Sequence, residues 1–311
     1  VKKYPSKEDL DAEFPTIPVV LNRIDGHAMI VNSKALALAG ITSKTIPTGG
    51  QVELANGQLT GILIDNPMRM INAIIPQPGR KTQIAALVDA EKTMFGYGLT
   101  TVNDAGLSPD VIELIDSLQK AKVLHINVYA MISATQKNID LYLKKGIYKS
   151  DALTVRSFKL FGDGALGSRG ACMHKEYSDM AKQHGALISS PQEFKSIAKQ
   201  IAASDFQLNS HAIGDSANTV LLKIYKEVLT GKKDRRWKIE HAQVILEQDF
   251  DYFKLGIIPS VQPTHATSDM YWAGERLGKD RLKNSYAYKK LLQKAGIVAL
   301  GTDFPIEEVN P

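Results

Sequence analysis

Four residues of this sequence have side chains suited to metal or proton chemistry and stand where strands should end: Lys159, His211, His241 and Asp303. Lys159 sits in the run Ala152 to Phe161, rich in Val, Leu and Phe, which reads as a buried strand. An unpaired ammonium there is costly, so the lysine must be neutralised or paired. Two readings stand side by side. In one it pairs with a carboxylate such as Asp163. In the other its neutral amine takes up carbon dioxide to give a carbamate, an anionic two-oxygen ligand able to bridge two metals, and burial lowers a lysine pKa in the direction this needs.

His211 and His241 end successive strands one βα unit apart, which sets two imidazoles side by side, and Asp303 adds a carboxylate at a third strand end. A lone buried histidine is usually a hydrogen-bonded core residue. Two at neighbouring strand ends with a carboxylate shift the reading to a divalent metal, since imidazole nitrogen and carboxylate oxygen suit zinc, iron or manganese.

These positions need strands to hold them. From Thr82 the pattern alternates helix and apolar strand: a helix carrying Ile84, Leu87, Val88 and Phe95, a strand 99–105, a helix around Val111 to Leu118, a strand 124–132 and a weaker helix 136–145. The Lys159 strand comes next. After an irregular stretch 162–189, Ser190, Pro191 and Glu193 supply an N-cap, a first-turn proline and a capping-box acid for a helix to about 204. Strands 206–211, 237–241, 257–262 and 297–302 follow with helices between them. Seven such strands without a long interruption favour an α/β architecture, a (β/α)8 TIM-type barrel of which strands 2 to 8 are expected. Residues 1–80 lack this rhythm. They are punctuated by prolines and glycines, with a strand in 17–24, a short helix 33–39 capped by Ser33 and a hairpin 51–64 turning at Asn56 and Gly57. We read 1–80 as an irregular, β-containing insertion near the barrel mouth and 81–311 as the barrel portion.

Composition narrows the partners. Of 311 residues, 38 are basic and 33 acidic, a net +5 spread along the chain without the clustered basic and aromatic residues of a nucleic-acid surface. No apolar run nears the roughly 18 residues that span a bilayer. The single cysteine, Cys172, excludes an internal disulfide and any all-cysteine zinc cage. Nucleic acid and membrane are thus not expected, a small molecule and a second copy of the chain are, and the compartment stays open with the cytoplasm as the default.

Five segments together resemble the amidohydrolase superfamily, in particular the branch of N-substituted formamide deformylases: Arg23 to Ala28 with Asn32 and Ser33, Lys159 to Ser168, His211 to Asp215, Ile239 to Gln243, and Gly301 to Pro305. They fall in the family's order across nearly the whole chain. The resemblance implies a metal-dependent hydrolase of non-peptide C–N bonds with one or two divalent ions, zinc first among candidates. Lys159 would be a carboxylated bridging ligand, His211 and His241 imidazole ligands, and Asp303 a ligand and the proton acceptor for the attacking water. His27, Asp163, His265 and Trp272 are candidates for the substrate pocket. The family's His-x-His pair is absent from the sequence, and its place would be before Val1. The expectation is therefore a fragment with weak metal binding and little activity. Two rivals remain: a Schiff-base lyase using Lys159, and a noncatalytic barrel that binds or regulates.

Overall fold

In the computed structural model, which describes residues 5–310, chain order already separates two sheets. The first is antiparallel. After α1 (Lys7–Glu13) come β1 (Val20–Asn22), β2 (Ala28–Val31), α2 (Ser33–Leu38), β3 (Gly50–Ala55), β4 (Gln58–Asp65) and α3 (Met68–Asn72), the strands lying in the order β1-β2-β4-β3. Alternation explains its stability. Met29, Val31 and Leu63 pack on one face with Leu36 and Ile71, while Ala28, Ile30, Ile62 and Ile64 pack on the other. Asn56 and Gly57, both left-handed, close the β3–β4 hairpin as expected.

The cap of α2 differs from expectation. Asn32, not Ser33, is the N-cap: its Oδ1 accepts from the Ala35 and Val19 amides at 3.0 Å, and its Nδ2 donates to the Phe14 and Ile17 carbonyls. One buried amide side chain with two acceptor and two donor uses outcompetes a hydroxyl, and Ser33 turns to Asp11 instead.

The second sheet is parallel and curled. Its elements run α4 (Arg80–Gly96), β5 (Thr101–Leu107), α5 (Pro109–Lys120), β6 (Asn127–Ser133), α6 (Gln136–Lys145), β7 (Tyr148–Lys149), β8 (Leu153–Phe161), α7 (Pro191–Ala202), β9 (Gln207–Ala212), α8 (Asp215–Val228) and β10 (Lys238–His241). After a 3-10 helix (Glu247–Leu255) follow β11 (Ile258–Val261), α9 (Pro263–Ser268), α10 (Ala273–Leu282), α11 (Tyr288–Ala295) and β12 (Ala299–Leu300). Seven strands pair in parallel in the order β12-β11-β10-β9-β8-β6-β5, and β7 adds antiparallel to β8. This is an arc of a TIM-like barrel with β5 and β12 as unpaired edges among the described residues. The capping box at Ser190 and Glu193 forms as read.

The main core lies between this sheet and its helices and holds Phe158, Phe194, Leu208, Trp237, Ile239 and Phe250. The face turned to the barrel axis is polar instead, carrying Ser157, Lys159, Asn209, His211 and Glu240, all buried. Two expectations shift. The 247–255 segment is a 3-10 helix rather than an α-helix, and α4 buries only Glu91 while Phe95 is exposed.

Candidate metal centre

The parallel register sets the site. Phe161 aligns with His211, and His211 with Glu240, so the carboxyl ends of β8, β9 and β10 finish level. Strict alternation from Ile239, which packs in the core, would send His241 to the helix side. It does not, because His241 and Ala242 are both left-handed, at φ 72 and 44, and the strand ends in a bend that brings the His241 ring to within 4.6 Å of the His211 ring, centroid to centroid. Asn218 of α8 braces the turn after β9, its Nδ2 donating to the carbonyls of Ala212 and Gly214 at 3.1 and 3.0 Å, and reaches the segment after His241 at the Val244 carbonyl, 3.3 Å away. Asp303, beyond β12, is left-handed as well, at φ 60.

The charge states follow from burial. The His241 pKa falls to about 3, by burial first, with the Asp303 charge opposing and Lys159 adding to the fall. His211 is held well below the ordinary imidazole value, again by burial and then by the charges of His241, His27 and Lys159. Both rings are neutral, which is the ligating form. Burial also lowers the Lys159 pKa, against the pull of Glu240 and Asp303. The lysine has no ion pair among the described residues and lies 4.9 Å from the centre of the Phe161 ring.

Pairing of Lys159 with Asp163 is not seen. Asp163 is wholly buried and accepts from the amides of Cys172, Ile213 and Gly214 at 2.8, 3.0 and 2.8 Å. Burial nonetheless pushes its pKa up to about 7, because it outweighs those three donors. The carboxylate is thus a strut that joins the loops after β8 and β9 beneath the cavity, rather than a group lining it. His27, His211, His241, His265, Lys159, Trp272 and Asp303 do line one cavity of about 660 Å³.

The antiparallel sheet provides the facing wall. His27 follows the left-handed Gly26, and its Nδ1 lies 2.7 Å from Oδ1 of Asp65 at the left-handed end of β4. Burial opposes protonation of His27, but the Asp65 hydrogen bond and the charges of Asp65, Asp25 and Asp163 outweigh it and raise the pKa. The His27 ring stands 5.0 Å from that of His211. Gly164 and Gly170 have to be glycine, since a Cβ on either would overlap the Asp65 carboxylate.

A donor group emerges in which His265, expected only as pocket lining, joins His241 and Asp303. His241, His265 and Asp303 have ligand atoms all within 4.8 Å of one another. His265, on α9, is stacked 5.9 Å from His241, places Nε2 3.4 Å from Asp303 Oδ2, and is held at Nδ1 by Glu307 at 2.8 Å. Two imidazoles and a carboxylate are a donor set for a divalent cation. The Nδ1 of His241 is buried without a hydrogen-bond partner, a loss that a cation would repair. The residues fit a metal. Glu307 and Asp65, both missed in the sequence, act on histidines far away in the chain, and only the fold reveals the pairs.

Parallel strands that gather imidazoles, a lysine and a carboxylate at their carboxyl ends define a barrel-type fold with a polar centre at its mouth. The chain belongs to the amidohydrolase family, which it matches over residues 2–311. It is similar to Protein LONG AFTER FAR-RED 3 of Arabidopsis thaliana, at 34% identity over 328 residues, covering 99% of this chain and 56% of that protein. It is also similar to the N-substituted formamide deformylase of Arthrobacter pascens, at 23% identity over 334 residues, covering 100% of this chain and 60% of that one. Among solved structures, an uncharacterized metal-dependent hydrolase from Pyrococcus horikoshii OT3 superposes with a TM-score of 0.76 at 27% identity, covering 100% of this chain and 61% of that one. The chain thus spans between half and two thirds of the length of these relatives.

Proposed function

We propose that this chain carries the centre of a metal-dependent hydrolase that cleaves C–N amide-type bonds. The observation that supports it most is the convergence of His241, His265 and Asp303, with an orphaned His241 nitrogen, beside Lys159 and His211. His241 and Asp303 would hold the cation with His265 or with Lys159 and His211, and a carbamate on Lys159 would supply the anionic ligand that its unpaired, destabilised ammonium cannot. When bound, the cation lowers the pKa of water toward about 7 and polarises the substrate carbonyl.

The chain's own residues supply the rest. Burial would raise the Asp303 pKa, but the His265 hydrogen bond and the charges of His241, Lys159 and His265 hold it below the ordinary carboxylate value. Asp303 is therefore an ionised acceptor, able to take the proton of the attacking water and pass it to the leaving amine. Where Lys159 and His211 complete the ligand set instead of His265, Glu307 clamps the His265 ring and that ring orients the Asp303 carboxylate. His27 faces the substrate from the opposite wall. The same reading makes the seven parallel strands an arc of an eight-stranded barrel whose remaining position lies between β12 and β5.

Calorimetric titration with zinc and with manganese tests the centre, and hydrolysis of formanilide by the loaded protein tests the reaction. Saturable binding that is lost in Asp303→Ala is expected. Binding that survives both Asp303→Ala and His241→Asn sinks the proposal, and trapping of Lys159 by borohydride with a carbonyl compound and no metal would favour the lyase instead.

A further inference from the structure

We propose that the cavity takes amide-type substrates that carry a second group, an anionic carboxylate or phosphate, and that Arg69 binds this group. The inference rests on the hydrolytic reading of the centre, and it concerns the end of the substrate that does not react.

The argument is one of charge matching on the cavity wall. Every carboxylate there is engaged by a neighbour: Asp25 by Arg23, Asp65 by His27, Asp269 by Tyr286, and Asp303 and Glu307 by His265. Two cations on the wall have no counter-ion among the described residues. One is Lys159 at the centre. The other is Arg69 on α3, whose guanidinium makes no hydrogen bond or ion pair with another described residue although it lines the cavity. Asn72, one helical turn on, lines the same cavity, its side-chain amide unpaired among the described residues. An arginine fork and an amide side by side match the oxygens of a carboxylate or phosphate.

Size points the same way. A cavity of about 660 Å³ is in the range that encloses a drug-sized molecule, and an amide alone would fill little of it. Arg69 on α3 and the strand-end residues of the metal centre line the same cavity, so one ligand held there can face both. Arg23 is less suited to the role because Asp25 already holds it at 3.4 Å and its guanidinium lies against Gly167, where a Cβ would displace it.

The test uses three benzamides of similar shape and reads binding rather than turnover: N-benzoylglycine, N-benzoyl-2-aminoethyl phosphate and the neutral N-benzoylglycinamide, each titrated calorimetrically at one fixed ionic strength. At least one anion should bind roughly tenfold or more tightly than the neutral amide, and which one does so separates carboxylate from phosphate. Arg69→Gln should bring the ratio to about one, and Arg69→Lys should keep part of it as a point charge. Arg69 is exposed and unpaired, so both variants should unfold at the wild-type temperature. Equal binding of all three probes, absence of binding by both anions, or a preference that persists in Arg69→Gln overturns the proposal. Because no probe has to be cleaved, a failure of the hydrolytic reading would show only in the turnover assay and leave this result legible.

Discussion

His241 combines three costs: a left-handed backbone, a buried ring and an unpaired Nδ1. Each is of order 1 kcal/mol or more, and such costs gather where a ligand is to be held. Replacing His241 by Asn keeps a residue that tolerates φ above zero while removing the imidazole. We expect the melting temperature to stay near wild type while zinc affinity falls at least about tenfold, read by calorimetry. Gly164→Ala tests the opposite wall: its methyl would collide with the Asp65 carboxylate, with an expected loss of about 1–3 kcal/mol in urea unfolding. Lys159, His211, His241 and Asp303 were legible in the sequence because a polar residue at the end of an apolar strand is conspicuous. The pairs His27–Asp65 and His265–Glu307 were not, since each joins residues about forty positions apart through a single hydrogen bond. Lys159 and Asp163 lie four apart and still do not meet, because the strand ends between them.

Helix α4 shows where the periodic pattern misleads. Its Ile84, Leu87 and Val88 pack only partly, against Leu114, Leu118 and Leu124, and its anchor is a charge. The buried Glu91 carboxylate accepts from the amides of His125 and Ile126 at 2.5 and 2.7 Å, tying the helix to the start of β6. Burial would raise its pKa, but these hydrogen bonds outweigh it and the pKa falls below the usual glutamate value of 4.5. With the folded pKa depressed, the stabilisation is full above about pH 4.5 and is lost as pH falls through the folded value. Glu91→Ala should therefore cost roughly 1–3 kcal/mol at pH 7, and the gap to wild type should narrow as the pH of the urea titration is lowered below that range. A gap that does not change with pH would assign the effect to packing. An acid in mid-helix carries no local sign that it will cap a strand's amides, so no reading of the sequence would have chosen Glu91.

At the scale of the whole molecule, the alternating βα rhythm made the parallel sheet legible over its full span, because each crossover leaves its own apolar signature. The antiparallel sheet was legible at its hairpin and at β1, which falls within the strand read in 17–24, but not at β2. Among the described residues the arc ends at two unpaired edges, β5 and β12, with Leu300 on β12 69% exposed and Ile297 just before it 55%. Open strand edges with apolar side chains recruit other strands. We expect concentration-dependent association in sedimentation, reduced by Leu300→Lys, and a monomer at all concentrations would overturn edge pairing between copies of this chain. The core should answer differently: Trp237→Ala, at the centre of the buried cluster, should cost about 3–5 kcal/mol without altering association.

The cavity is walled by two sheets that owe little to each other in sequence. Lys159, His211, His241 and Asp303 come from the parallel sheet, whereas Arg23, His27, Asp65 and Arg69 all come from the first 72 residues. On the proposed reading, this would separate what is transformed from how it is transformed. Mutations in the small sheet could then search new ligands while His211 and His241 stay in place, and a lineage could change its diet without relearning its chemistry. Exchanging the small sheet between relatives should accordingly carry ligand preference with it and leave the metal requirement behind.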